Sequence, residues 1–327
     1  MRDIGIDLGT ANVLIFEKGR GIVLNEPSVV AIDTQSKKVL AVGKEANEML
    51  GRTPGKVQAI RPMRDGVIAD FEVTDIMLKH FIKKAVGKKI FQKPRILICC
   101  PTNTTQVERN AIREVAERMG ARKVFIEEEP KVAAVGAGMD ISKPSGSMVI
   151  DIGGGTTDIA VLSLGSVVTS ASSKIAGNTF DKDIIRYVKD KYKLLIGEIT
   201  AEEIKIKIGT VNPNKKKEEL EISGRNVTSG LPSVIKISSN EVEEALRDNV
   251  NKIIFTAKNV LSDTPPELSA DIVEKGIILT GGGALIDGFT QLLREELKVP
   301  VLISDSPLTN VAEGTGILLD NLHLIDE

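Results

Sequence analysis

The stretch Met148-Val149-Ile150-Asp151-Ile152-Gly153-Gly154-Gly155-Thr156-Thr157-Asp158-Ile159-Ala160-Val161 is two apolar strands joined by a turn of glycines and threonines. Successive glycines let a backbone turn tightly, reach positive φ and aim several N–H groups at one anion. Thr156 and Thr157 add hydroxyl donors and acceptors. Asp151 closes a buried strand, where a carboxylate tolerates neighbouring phosphates only with a cation between them, and Mg²⁺ with its water shell suits that role. The plainer reading is a hairpin turn without a ligand, since a hairpin needs only one or two residues at positive φ.

The same grammar opens the chain. Ile4-Gly5-Ile6-Asp7-Leu8-Gly9-Thr10-Ala11-Asn12-Val13-Leu14-Ile15 is again strand, Asp, Gly, Thr, strand. Two such hairpins predict two similar half-molecules. A third glycine turn, Ile277-Ile278-Leu279-Thr280-Gly281-Gly282-Gly283-Ala284, follows an apolar strand and opens a helical pattern, which suits backbone approach to a nucleotide's sugar and α-phosphate. Each turn alone is a weak signal; the three in this order are a strong one.

These motifs resemble the ATPase superfamily of actin, sugar kinases and heat-shock chaperones. Asp7-Leu8-Gly9-Thr10-Ala11-Asn12, Asn25-Glu26-Pro27-Ser28-Val29-Val30-Ala31, Gly51-Arg52-Thr53-Pro54-Gly55, Arg61-Pro62-Met63, Asp65-Gly66-Val67-Ile68-Ala69-Asp70 and Thr264-Pro265-Pro266-Glu267-Leu268 are more closely similar to the MreB family of bacterial actins, end to end. The resemblance implies an α/β, actin-like two-domain ATPase fold, with duplicated ribonuclease-H-like halves around a nucleotide cleft. The first half is expected over 1–140, with a small insertion at about 34–65 and the C-terminal helix of about 310–327 packed back onto it. The second is expected over 141–327, with an insertion at about 181–240.

The resemblance also implies the site. ATP or ADP is expected against Thr10, Ala11 and Asn12, against Gly153, Gly154, Gly155 and Thr156, against Glu202, Glu203, Ile204 and Lys205, and against Gly281, Gly282, Gly283, Ala284 and Leu285. Asp7 and Asp151 would hold Mg²⁺ through water. Glu127-Glu128-Glu129-Pro130 reads locally as a solvated acidic turn, but in the family pattern the Glu immediately before Pro faces the γ-phosphate and positions the attacking water. Glu129 matches that place, and Thr157 matches the threonine that assists. A carboxylate so placed can orient the nucleophile and accept its proton. Two residues depart from the family pattern: Asn178 stands where Asp is usual, and Lys131 where an apolar residue is usual, close to Glu129.

Further implications are head-to-tail filaments, paired antiparallel, on the inner face of the cytoplasmic membrane, serving cell shape or motility alongside other membrane or cytoskeletal proteins. Ile90 and Phe91 sit in a lysine-flanked loop, Gly87-Lys88-Lys89-Ile90-Phe91-Gln92-Lys93-Pro94. They either tuck into the core or wedge into the membrane interface while the lysines meet anionic head groups, and the resemblance favours the wedge.

Composition bounds these expectations. A chain of 327 residues is long enough for two domains, and 42% hydrophobic with 27% charged residues is the make-up of a soluble globular protein. With 43 basic against 45 acidic residues and only 3% aromatics, nothing suggests a nucleic-acid partner. Cys99 and Cys100 are adjacent in an apolar strand and so point to opposite faces, which fits a reducing cytoplasm and not a disulfide. No apolar run approaches the roughly 20 residues that cross a bilayer, and no signal-peptide pattern is present, so a cytoplasmic chain peripheral to the inner membrane is expected.

Local patterns place the remaining elements. Asp75–Val86 has helical spacing after a cap at Thr74 or Asp75, Thr105 with Glu108 forms a capping-box signature, and residues 139–147 look like the inter-domain hinge. Thr200–Ile208 alternates charged and apolar residues as a strand would, whereas the resemblance asks for a helix, which is preferred here. A small-molecule kinase of the same superfamily is the alternative function, since fold alone does not fix activity. It would need an acceptor pocket and a base for a substrate hydroxyl.

Overall fold

Strands Ile4–Leu8, Asn12–Glu17 and Gly21–Pro27 form an antiparallel meander, and Arg95–Cys100 and Lys123–Glu128 extend it in parallel from the side of the first strand. The second sheet repeats this order: Ser147–Ile152, Thr157–Ser163 and Ser166–Ser173 make the meander, and Ile277–Thr280 and Val301–Ile303 the parallel extension. The duplication foreseen from the two hairpins is therefore one of topology as well as of motif. The structure is a computed structural model that describes residues 3–87, 94–213 and 218–325. Ile90 and Phe91, expected in a membrane-wedging loop, lie outside the described residues.

Each sheet buries one face against its own helices. Phe71–Val86 and Gln106–Arg118 cover the first, where Ile6, Met77, Phe81, Ile98 and Val115 share a core. Gly177–Tyr192 and Ser239–Ser262 cover the second, around Ile150, Ile159, Phe180, Leu246 and Ile253. Side chains buried this fully contribute roughly 1.5–3 kcal/mol each relative to exposure.

The other faces of the sheets meet a shared third layer. Helices Glu129–Gly136 and Asn310–Asp320 lie in a cluster with Leu97 and Phe125 of one sheet and Val149, Ala160 and Leu162 of the other. These helices cross at two glycines: a Cβ on Gly136 would lie 1.8 Å from the Asn310 carbonyl oxygen, and one on Gly314 would lie 2.0 Å from that of Val132. Only a residue without a side chain lets the backbones approach so closely. The C-terminal helix thereby packs beside the strand Ile4–Leu8, where Gly5 faces Thr315.

Among the described residues two three-stranded sheets stand outside this frame, beside a two-stranded ribbon of Met63–Arg64 and Val67–Ile68. One pairs Val30–Asp33 with Val39–Val42 and Val57–Ile60, and the other joins Leu194–Leu195, Glu219–Asn226 and Pro232–Ser238.

Two local expectations change. The helix expected from Asp75 begins at Phe71, capped by Asp70, whose carboxylate accepts the Val73 N–H at 3.0 Å. An Asp ahead of the helix satisfies an orphan donor more directly than Thr74, whose hydroxyl instead donates to the Asp70 carbonyl at 2.7 Å. The pattern after the third glycine turn splits into a short 3₁₀ turn, Gly282–Leu285, and a helix, Phe289–Leu297. In contrast, residues 198–208 are helical throughout despite their strand-like alternation. Ala201, Ile204 and Ile208 face the core, and Ile206 is left 72% exposed. Cys99 and Cys100 are free buried thiols in different clusters, as their alternation predicts. Among the described residues, no helix is long and apolar enough to cross a membrane.

Candidate functional site

The turns of the two hairpins touch. A Cβ built on Gly154 would lie 2.6 Å from the Ala11 Cβ, and one on Gly155 would lie 2.3 Å from Thr10 Oγ1. The first turn is held from behind by Ser28, whose hydroxyl donates to the Gly9 carbonyl at 2.7 Å and whose N–H donates to that of Ala11 at 2.8 Å. The second is buttressed by helix Gly177–Tyr192: the Gly177 and Asn178 N–H groups donate to the Gly153 and Gly154 carbonyls at 3.1 and 2.8 Å. The third turn closes on the same strand end. Gly281 has φ +81°, and a Cβ there would meet Asp151 Oδ1 at 2.3 Å and the Ile152 carbonyl oxygen at 2.4 Å.

Strand alternation sorts the polar residues by face. Val149, Ala160 and Leu162 point toward the central helices, and so do Asp151 and Asp158, which are cross-strand partners in the hairpin. Glu129 opens the central helix that this face meets. Burial raises the Glu129 carboxyl well above the usual carboxylate range, and the charges of Asp158, Asp151 and Asp7 push it further. Asp151 is raised by burial and then by Asp158 and Asp7. Burial brings Asp7 up to about 7, although its side chain keeps a partly exposed edge. Asp158 is also raised by burial, against the opposing effect of hydrogen bonds from Thr156 and Thr102.

Four carboxylates that disfavour one another's charge make a place where a cation gains energy. Among the described residues, no three His, Cys, Asp or Glu are arranged to hold a metal ion directly. A Mg²⁺ bound beside these carboxylates would keep much of its water shell, as that ion ordinarily does.

Asp158 was missed by sequence reasoning, although its place opposite Asp151 in a hairpin of known register was a usable signal. Thr157 does not join the cluster. It shares the face of Ile159 and is fully buried, and its hydroxyl donates to the Ile175 carbonyl at 2.6 Å. Thr156, one residue earlier, is the hydroxyl turned to Asp158.

Beside the turns opens a cavity of about 470 Å³, with Thr10, Ala11 and Asn12 on one side and Asn178, Asp181 and Glu202 on the other. Lys205 lies next to it, paired with Asp181 at 2.8 Å and donating to the Gly177 carbonyl at 3.2 Å. Burial brings the Asp181 carboxyl up to about 6 even though Lys205 opposes the shift. Two neighbours face elsewhere: Glu203 pairs with Lys207 at 2.6 Å on the solvent side, and the Ile204 side chain is wholly in the core. Of the third turn, Gly283 and Ala284 are buried and Leu285 is 54% exposed. Lys131 is buried, and its ammonium pairs with Glu127 at 3.1 Å.

Two halves of one topology, with glycine turns facing across a cleft and a shared pair of crossing helices between their sheets, define an actin-like protein. The chain belongs to the MreB/Mbl protein family, whose sequence model matches residues 1–327. It is 66% identical over 321 residues to the cell shape-determining protein Mbl of Bacillus cereus, covering 98% of this chain and 96% of that one. It is 52% identical over 327 residues to the cell shape-determining protein MreB of Escherichia coli, covering 98% and 94%. The crystal structure of MreB5 of Spiroplasma citri bound to AMPPNP superposes with a TM-score of 0.94 at 42% identity, covering 98% of this chain and 97% of that one, and its ADP-bound form gives the same values.

Proposed function

We propose that this chain binds ATP with Mg²⁺ in the cleft between halves 1–140 and 141–327, hydrolyses it slowly, and assembles head to tail into filaments. The observation that carries this reading is the convergence of Asp7, Glu129, Asp151 and Asp158 beside two touching glycine turns. The nucleotides held by the Spiroplasma citri relative and the cell-shape role named for the Bacillus and Escherichia relatives support it.

In this reading the turns at Thr10–Asn12 and Gly153–Thr156 offer N–H and hydroxyl donors to the β- and γ-phosphates. Gly281–Leu285 approaches the sugar with its backbone, while Glu202 and Lys205 meet ribose and base. Asp7 and Asp151 would hold Mg²⁺, which when bound neutralises phosphate charge. Glu129 orients the attacking water and accepts its proton. Thr156 replaces Thr157 as the assisting hydroxyl, because it lies on the carboxylate face.

A contact between subunits that does not close on itself generates a filament. Pairing of such filaments in antiparallel fashion, and attachment to the inner membrane face through Ile90, Phe91 and the lysines around them, complete the proposal. The test is sedimentation of the purified protein with and without Mg-ATP, then with vesicles of anionic lipid. Pelleting that requires nucleotide, and vesicle binding that an Ile90→Ser, Phe91→Ser variant loses, are expected. A protein that stays in the supernatant across salts and concentrations contradicts the filament reading.

A further inference from the structure

Loop 101–105 follows the strand Arg95–Cys100 and touches both halves of the molecule. Toward the second half, Thr102 donates to Asp158 Oδ1 twice, from its N–H at 3.2 Å and its hydroxyl at 3.3 Å. Asp158 is 1% exposed, so these donors satisfy a buried carboxylate. Toward the first half, the loop ends in Thr105, which caps helix Gln106–Arg118 in a reciprocal box with Glu108. One turn into that helix, Arg109 folds back over the loop. Its Nε donates to the Thr104 carbonyl at 3.4 Å and its Nη2 donates to Glu128 Oε1 at 3.2 Å.

Glu128 is the last residue of its strand and stands at the N-cap of the helix that Glu129 opens. Fixing the Glu128 side chain therefore fixes the entry angle of the backbone into Glu129. A bonded path runs from the second glycine hairpin through Asp158, Thr102, Thr104, Arg109 and Glu128 to the neighbour of the proposed water-orienting carboxylate. An arginine keeps its charge at every working pH, so the tie to Glu128 holds wherever the carboxylate is ionised.

We propose that Thr102 and Arg109 are positioning residues that couple the placement of the second hairpin to that of Glu129. This rests on the reading of Glu129 given above. The coupling acts through geometry and leaves nucleotide contacts untouched, since neither residue belongs to the turns or to the cavity wall named above.

The experiment is single-turnover phosphate release with Mg-ATP, together with the affinity of a fluorescent ATP analogue, for the parent and for Arg109→Met, Arg109→Lys, Thr102→Val and Glu129→Ala. Small misplacements of a catalytic group cost up to about a hundredfold, so Arg109→Met and Thr102→Val are expected to slow release by about tenfold at unchanged affinity. Arg109→Lys should recover part of the rate, and the Thr102→Val, Arg109→Met double variant should be no slower than the slower single one, as members of one path are. If Arg109→Met fails to fold, Thr102→Val, which keeps the side-chain shape, decides alone. Parental rates in both variants beside a slow Glu129→Ala overturn the coupling while sparing the Glu129 reading. Affinity lost in step with rate overturns it in favour of a merely structural role. A parental rate in Glu129→Ala removes the reading itself and the coupling with it.

Discussion

Gly154 and Ala11 meet across the cleft so closely that a Cβ on Gly154 would lie 2.6 Å from the Ala11 Cβ and 3.2 Å from its nitrogen. Neither of those atoms is the end of a flexible side chain, so the contact has no cheap escape. Gly154→Ala should hold the two turns apart and weaken Mg-ATP binding by about tenfold, within the ~1–3 kcal/mol typical of overpacking. The same clash is present without nucleotide, so the melting temperature of the free protein should fall as well. Titration of a fluorescent analogue beside a thermal melt checks both halves of the prediction.

The clustered carboxylates predict how stability depends on pH. Unfolded aspartates lose their protons near pH 4, whereas folded Asp7 keeps its proton up to about 7. Between these values the folded state binds more protons than the unfolded one, so nucleotide-free stability falls as pH rises from about 4 to 7. Asp7→Asn should flatten that slope and raise the melting temperature at pH 8. The gain should be below the roughly 4 kcal/mol of a full shift, because Asp7 keeps contact with solvent at its partly exposed edge. Melts from pH 5 to 8 with a chelator present measure it, and parallel curves for parent and variant would contradict it.

Lys131 and Glu127, both all but inaccessible, form an ion pair at 3.1 Å. Removing one member of a buried pair takes compensating charge from the other, which costs up to about 3–5 kcal/mol, while replacing both is often nearly neutral. Lys131→Met should therefore be strongly destabilising in urea, and Lys131→Met, Glu127→Gln should recover most of the loss. Lys131, which departs from the family pattern, directs its ammonium to Glu127, whereas the charges that raise Glu129 are those of three aspartates.

Glu241 ties the outer part of the second half together. It completes the capping box of helix Ser239–Ser262, pairs with Lys191 at 2.9 Å and accepts from the Tyr192 hydroxyl. Burial works to raise this carboxyl, but bonds from Lys191, Tyr192 and Ser238 outweigh it and hold the group at about 2. A lowered carboxylate contributes stability above about pH 4.5 and loses it as pH falls toward 2. Glu241→Ala should cost about 1–2 kcal/mol at neutral pH, read as a lower urea midpoint at unchanged slope.

The three glycine turns were legible because each packs its chemistry into six or seven consecutive residues. The facing of side chains was less so. Thr156 and Thr157 carry the same group one residue apart, and only the strand register, with Ile152 opposite Thr157 and Asp151 opposite Asp158, shows that Thr157 turns away from Glu129. Asp158 escaped notice for the same reason, although counting by twos from Leu162 and Ala160 would have found it. Residues 198–208 show the opposite case. Their strand-like alternation arises because Ile206 is a solvent-facing isoleucine, a placement that no local pattern announces. The Glu203 side chain, on that helix, faces Lys207 and solvent, so the expected contact with nucleotide falls to Glu202 and Lys205.

The most direct test of the account is phosphate release measured on sedimented protein, parent against Glu129→Ala, with saturating Mg-ATP. The account predicts that both pellet with nucleotide and that the variant releases phosphate at least about a hundredfold more slowly, the usual effect of losing a positioned general base. Release at the parental rate by sedimented Glu129→Ala would contradict it.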